Sequence, residues 1–412
     1  MKCTCIGIAA IILAVGAWLA GCATSRDDGR AAYAGPTAWS PAALAANQFT
    51  FDLLRRRIGQ NSDGDLICSP LSAWTMLTLA SAGATGETQK EMQATLHLPA
   101  GDPAFYIQAG GLADDLQNSR DVEFRVGNRL WVQSGLHLTP SFIEVARTDF
   151  HGGMAPVDFR RAPSSALGQI NAWVSSQTHG KIPDLLHASD ISGGTRLVLT
   201  NAVYFKGAWE KTFKEEETKP AAFYLGTGGT TQVRMMSQDA SFAYAQTQGV
   251  QVLRLPYRGG KTSMVILLPE RKTPLAQIAV QMNAPSFRSL LTKLRTTSVR
   301  LHLPRFIDRE RLQLADDLQA LGMKRAFHDA QFDGITKDEA LYISQVIHQS
   351  FVQVTETGTE AAAATAIVLD SKGIHLPDPD AVDFTADHPF LYFIMDEGSG
   401  AILFVGAVEH PQ

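Results

Sequence analysis

Cysteine is nearly absent: 412 residues hold four, and three of these, Cys3, Cys5 and Cys22, lie at the extreme N-terminus. Beyond them only Cys68 remains, so no intrachain disulfide can staple the main body, and its stability must come from packing. Cys68, in LICSPLS, reads as a buried apolar residue rather than a nucleophile. Charge of one sign is lacking too. The 36 Lys and Arg against 41 Asp and Glu leave a net charge of -5, with no basic stripe, which excludes the usual footprint of a nucleic-acid partner. From Ser40 onward there is no low-complexity spacer, like-charge block or repeat, so one domain with internal subdivisions is expected. The signatures of common catalysts are missing as well: no G-x-S-x-G elbow, no H-E-x-x-H, no Walker loop. The 11 histidines are scattered with none paired at i and i+4, so a zinc site would have to be gathered from distant segments. No enzyme, metal or cofactor is expected.

What is present begins with MKCTCIGIAAIILAVGAWLAGC. Lys2 precedes an apolar run from Ile6 to Ala20, too short for a comfortable membrane span and suited to an export signal. Its end, Leu19-Ala20-Gly21-Cys22, resembles a bacterial lipobox. That resemblance implies cleavage before Cys22, a signal peptide over 1–21, a lipid on Cys22, and attachment to the cell envelope. Ala23 rather than Asp after the cysteine is typical of sorting to an outer membrane. The polar run TSRDDGRAAYAGPT then reads as part of a flexible tether over 22–39.

The body expected over 40–412 starts with helix signals. Ser40-Pro41 and Ser69-Pro70 each place a capping hydroxyl before a proline at the first helical position. Ala45, Phe49 and Leu53, then Leu71, Trp74 and Leu77 or Thr78, follow at helical spacing. Later, strand-like runs dominate: Arg196 to Lys206, Val250 to Leu255, Ser263 to Leu268, Val299 to Leu303 and Ala401 to Val405. Helical pieces are predicted among them at Ile170 to Thr178 and at Leu312 to Leu321, the latter stopped by Gly322. Helices first, strands later and no regular βαβ alternation point to an α+β fold. Gly226 to Gly229 reads as a hairpin turn, and Asp378-Pro379-Asp380 as a solvated loop rather than a calcium site.

One stretch resists a simple reading. TETGTEAAAATAIVLDSKG, Thr355 to Gly373, carries four alanines, the best helix formers, between strand-like flanks FVQV and AIVL. Strand residues alternate faces. As a strand, it would put Thr359, Ala361, Ala363 and Thr365 on one face, all small and uncharged, with Glu360 opposite. An alanine-rich helix is the other reading.

Several separated motifs resemble the serpin family over Ser69 to Pro411. SPLSAWTMLTLASAGATGET is similar to its second helix and exit turn, INAWVSSQTHGKIPDLL to the helix lying across the large sheet, and TNAVYFKGAWEKTF to the central strand and the region where that sheet opens. LHLPRF resembles a neighbouring strand and FTADHPFLYFI the C-terminal signature. The resemblance implies about eight or nine helices, three β-sheets and an exposed reactive-centre loop near 356–376. It implies, too, a suicide-substrate mechanism: a serine protease cleaves the loop, which inserts into the main sheet and traps the protease as a covalent acyl-enzyme.

On that resemblance, Glu356, Gly358, Thr359, Glu360, Ala361, Ala362, Ala363, Ala364 and Thr365 form the hinge, with Gly358 supplying backbone freedom at the bend. Ser69, Ser72, Asn201 and His348 would form a hydrogen-bonded cluster beneath the opening. Glu356 and Arg305 would form an ion pair at its top near Trp209. Arg305 stands where lysine is common, and Thr357 where an acidic residue is frequent. Counting from Gly358 by the usual loop length puts the attacked bond at Lys372-Gly373, which fits a trypsin-like protease. The long run Gly373 to Asp383 leaves Asp370, for an Asp-specific protease, or Leu369, for a chymotrypsin-like one, as alternatives. A monomer is expected. The rival is a non-inhibitory serpin acting as a binding or chaperone-like protein, which would tolerate bulky or charged residues on the inward hinge face; this hinge has none.

Overall fold

A computed structural model describes residues 31, 33, 39–60, 64–100, 102–151, 153–359 and 378–412. Helix α1 (Pro41–Ile58) starts where the sequence places it: the Ser40 hydroxyl accepts from the Ala43 N–H at 3.1 Å, and Pro41 occupies the position whose N–H needs no partner. Ala45, Phe49 and Leu53 are buried on it. Helix α2 (Pro70–Ala82) is buried nearly all round, Leu71, Trp74 and Leu77 included. The helical front continues through α3 (Gly86–Thr95), α4 (Pro103–Gly110) and the short α5 (Asp114–Gln117). Further helices are α6 (Pro140–Thr148), α7 (Pro163–Gln177), α8 (Leu275–Gln281), α9 (Ala284–Leu291) and α10 (Ala315–Ala320).

The strands form two hydrogen-bonded networks among the described residues. One contains β10 (Phe306–Gln313), β11 (Gln345–Thr355), β12 (Gly358–Thr359), β4 (Leu197–Ala208), β2 (Val122–Gln133) and β3 (Met154–Val157), in that order. The other runs β1 (Leu66–Cys68), β15 (Ile402–Val408), β14 (Phe390–Asp396), β8 (Thr262–Pro269), β7 (Val250–Pro256), β6 (Thr230–Thr247), β9 (Arg295–Pro304) and β13 (Val382–Thr385), with β5 (Lys219–Tyr224) on β6. Two of the three expected sheets appear joined because β6 is 18 residues long and belongs to both. It pairs β5 with its first part, β9 along its middle from Met235 to Tyr244, and β7 with its last residues from Ala243 to Thr247.

The core sits between these layers, and a second apolar cluster fills the space under α7. There Ala166, Ile170 and Val174 pack with Trp131, Val198, Ala202 and Ile347. Strand β4 is therefore covered on both faces over most of its length, which explains its continuous apolar run. Cys68 is buried in the main core, where burial pushes its thiol pKa up and keeps it unreactive.

Two local expectations need correction. The predicted helix over Leu312 to Leu321 is confined to α10, because Leu312 and Gln313 end strand β10 opposite His348 and Ile347; long-range pairing outweighs local helical spacing. Ser69 precedes α2 but its hydroxyl makes no capping bond, since the residue is turned so that its backbone N–H meets His348. The Gly226 to Gly229 segment is the expected turn between β5 and β6, with Gly228 and Gly229 at φ of 93° and 88°. Among the described residues no cluster of three metal-ligating side chains occurs, and Asp378 is engaged by the Asp380 N–H at 3.0 Å.

Candidate functional site

The seam between β4 and β11 carries the site. The two strands pair in parallel from Val198↔Gln345 to Tyr204↔Phe351. Beyond Tyr204 and Phe351 they part, and the chain after β11 turns back at Glu356-Thr357 so that β12 lies between them. Thr359 sits opposite Val354 on one side and Gly207 on the other; Gly358 sits opposite Thr355 and Ala208. The start of the hinge is thus already a strand in the sheet.

Gly358 is required there twice over. Its φ of 152° is open only to glycine at little cost, and a Cβ would fall 2.1 Å from the Gly207 carbonyl oxygen. Thr359 is fully buried, and its hydroxyl lies 2.6 Å from the Tyr257 hydroxyl. Tyr257 in turn stacks on Trp209, with ring centroids 4.5 Å apart and planes at 14°. Trp209 holds the turn from both ends: its Nε1–H donates to the Thr355 carbonyl at 2.9 Å and its backbone N–H to the Thr357 carbonyl at 3.0 Å.

Glu356 is buried at this turn and accepts from Arg305 Nη2 at 2.6 Å and from the Thr218 hydroxyl at 2.5 Å. Burial alone would raise its pKa, but the hydrogen bonds from Arg305 and Thr218 outweigh it and hold the carboxyl below its usual range. The Glu356–Arg305 ion pair adjoins the turn that Trp209 holds.

Lower in the seam, Asn201 and His348 face each other on paired strands. The Ser69 backbone N–H points at His348 Nε2 at 2.9 Å; because an N–H can only donate, Nε2 accepts and the proton resides on Nδ1, which donates to Asn201 Oδ1. Asn201 Nδ2 then donates to Ser72 Oγ at 2.5 Å and also to Asn128 Oδ1, and Ser72 Oγ donates to Asn128 Oδ1 at 2.7 Å. Burial forces the His348 pKa down to about 3, so the ring is neutral. The Ser69 hydroxyl itself is buried without a partner among the described residues. Sequence reasoning missed three members. Asn128 was detectable only as a polar residue in the strand-like EFRVGNRLWVQ, Ser350 lies 2.8 Å from His348 Nε2 two positions along the same strand, and Tyr257 falls just past the strand expected over Val250 to Leu255.

Cys22, Glu360, Ala361, Ala362, Ala363, Ala364, Thr365, Lys372 and Gly373 lie outside the described residues. Within the expected tether, Ala31 and Tyr33 are hydrogen-bonded to the body and Trp39 is buried.

An α+β body whose sheet parts at one end around the first residues of a returning segment defines a protein class by its geometry. A sequence model of the serpin (serine protease inhibitor) family matches residues 44–411, and the chain belongs to that family. It is 38% identical over 374 residues to an uncharacterized serpin-like protein of Thermococcus kodakarensis, covering 90% of this chain and 86% of the relative. It is 36% identical to the leukocyte elastase inhibitor of Bos taurus, covering 89% and 99% of the two chains. Among solved structures, a tumour-suppressing serpin and uncleaved ovalbumin each superpose with a TM-score of 0.79 at 27% identity over 90% of this chain, covering 99% and 100% of theirs.

Proposed function

We propose that this serpin inhibits a trypsin-like serine protease as a suicide substrate. The protease's serine oxygen attacks the Lys372 carbonyl carbon, an ester forms, and the Lys372–Gly373 amide breaks with Gly373 leaving as a protonated amine. About fifteen residues at roughly 3.3 Å each then enter between β4 and β11 and carry the bound protease ~50 Å. Inhibition follows if insertion outruns hydrolysis of the ester, so the uncleaved fold is held kinetically short of a better-paired sheet. The observation that carries this reading is Thr359, already buried between the two strands and followed in the sequence, at the alternate positions that a continued strand would put on the same face, by Ala361, Ala363 and Thr365. No side chain on that face would bring a charge into the sheet.

The same reading places the protein, as a monomer, on the bacterial cell envelope, its lipid on Cys22 and the outer membrane its destination. Cleavage before Cys22 and acylation are tested by labelling with a radioactive fatty acid in wild type and Cys22→Ala; equal labelling refutes the anchor. For inhibition, the chain from Ala23 onward is incubated with trypsin. An SDS-resistant complex and a released peptide beginning at Gly373 are expected. Clean cleavage with trypsin fully active leaves the non-inhibitory, binding or chaperone-like alternative, and a peptide beginning at Asp370 or Ser371, from cleavage after Leu369 or Asp370, moves the attacked bond.

A further inference from the structure

The N-terminal segment meets the body in a polar socket that the inhibitory mechanism does not use. Tyr33 donates its hydroxyl to Glu397, which also accepts from Ser263 and pairs with Arg254 Nε at 2.7 Å. The Arg254 guanidinium lies over the Tyr33 ring at 4.5 Å from its centroid. Arg254 and Glu397 side chains are each only 13% exposed, so the pair is held with little competition from water. Burial and the Glu397 charge push the Tyr33 phenol pKa up, keeping it a donor.

The backbone adds a second tie. The Tyr33 N–H donates to the Leu294 carbonyl at 3.1 Å, and the Thr296 N–H donates to the Ala31 carbonyl at 3.0 Å. In a strand, backbone groups of alternate residues point to the same side. Leu294 and Thr296 therefore use the edge of β9 from which the His302 carbonyl accepts the Ala386 N–H just after β13. Residues 31 and 33 and strand β13, into which the reactive loop leads, lie end to end along one strand edge. Between them, Ser298 hydrogen-bonds Asp378.

We propose that this is a built docking site for the chain's own N-terminal segment, in which Tyr33 is the latch that closes the free edge of β9 beside β13. An edge strand left open pairs with foreign strands, and the latch fills it from within. The Glu397 N–H also donates to the Lys261 carbonyl at 2.9 Å, so the socket braces the turn between β7 and β8 that carries Tyr257. A consequence, which rests on the Cys22 anchor proposed above, is a short leash. Docking leaves nine residues from Cys22 to Ala31, ~30 Å when extended, instead of the eighteen to Ser40, ~60 Å.

The test does not depend on inhibition. No arginine occurs after Arg325, so an arginine-specific endoprotease leaves the reactive loop intact, and cleavage after Arg26 serves as a reference for cleavage after Arg30. In the full chain, Tyr33→Ala is expected to raise the Arg30-to-Arg26 cleavage ratio at least ~tenfold, the factor that 1.4 kcal/mol of docking would withhold. Tyr33→Phe, which keeps the ring over Arg254, and Glu397→Gln should give smaller rises. Hydrogen exchange at the Thr296 amide should quicken in Tyr33→Ala, with exchange at Asn201 unchanged. An unchanged cleavage ratio, or unchanged exchange at Thr296, overturns the latch and leaves the inhibitor reading untouched.

Discussion

Along a single seam, β4 and β11 pair directly beneath α7 as far as Tyr204 and Phe351, and only a few residues further on they stand apart with Gly358 and Thr359 between them. The closed part is tied by buried Asn201, His348 and Ser72 and by half-buried Asn128, each with hydrogen bonds made inside the protein. The open part is tied by a short strand, a stacked Trp209–Tyr257 pair and the Glu356–Arg305 bridge. A buried polar group that loses its partner costs about 1–3 kcal/mol. The closed part therefore resists opening until new partners are at hand, whereas the open part is already shaped to receive a strand. On the proposed mechanism, opening would start at Gly358 and run toward His348.

The largest break in this comparison is Thr359→Arg. The site is fully buried in the uncleaved protein and faces Tyr257, so the guanidinium must leave the sheet or bury a charge. The penalty of several kcal/mol predicts loss of trapping by roughly 100-fold or more, with the variant cleaved as a substrate. Gel assay of complex against cleaved product reads this directly; inhibition at the parent's level would show that the open end is not where insertion begins.

Next in size is Asn201→Ala in the closed part. It strands the His348 Nδ1–H and removes a donor to Ser72 and Asn128, for a loss of about 2–3 kcal/mol in the uncleaved protein. Denaturant unfolding measures it, and the cleaved, inserted form should lose less. A loss below about 0.5 kcal/mol would mean the network is not what holds the seam.

A pH series sharpens the same point. The folded His348 pKa of about 3 lies below the ordinary 6.5, so in acid the unfolded ring takes a proton that the folded ring refuses. Its stabilisation is complete above about pH 6.5 and falls as pH drops toward 3, by at most ~1.4 kcal/mol per pH unit. Asp308 works in the opposite direction. Burial, with the charges of Asp65 and Glu310 nearby, holds its pKa well above the carboxylate range while the Tyr392 hydroxyl donates to it at 2.8 Å. Its contribution is full below about pH 4 and is lost as pH rises through the raised value. Asp308→Asn should therefore weaken that opposing trend, to which half-buried Glu310 also contributes, and steepen the acid loss that His348 and Glu356 produce. The same profile with and without a His348→Gln substitution in that variant would remove His348 from the argument.

How much of this was legible in the sequence depends on the range of the interaction. Helix α1 and its cap, the buried faces of Phe49 and Leu53, and strand β4 were readable because capping and periodicity are local. Gly358 could be read as a bend, but that its Cβ would strike Gly207 depends on residues about 150 positions away. Asn201 and His348 were assigned to one cluster by family resemblance, whereas Asn128, Ser350 and Tyr257 carry no local mark. They become visible only when β2, β11 and the β7–β8 turn are brought together. Leu312 shows the reverse case, a helical spacing that pairing with β11 turned into strand.

The smallest change that separates the two parts is Tyr257→Phe. It removes one hydroxyl and keeps the ring, its stack on Trp209 and its edge contact with Phe205 at 5.0 Å. The lost bond to Thr359 is worth about 1 kcal/mol, since the Thr359 hydroxyl is left buried without it. That corresponds to roughly a fivefold shift in how often β12 leaves the sheet. Amide exchange at Gly358 and Thr359 should quicken by that factor, while exchange at Asn201 and His348 stays as it was. Equal acceleration at both places would mean that the seam opens as one unit, and the division between a closed and a receptive part would have no physical basis.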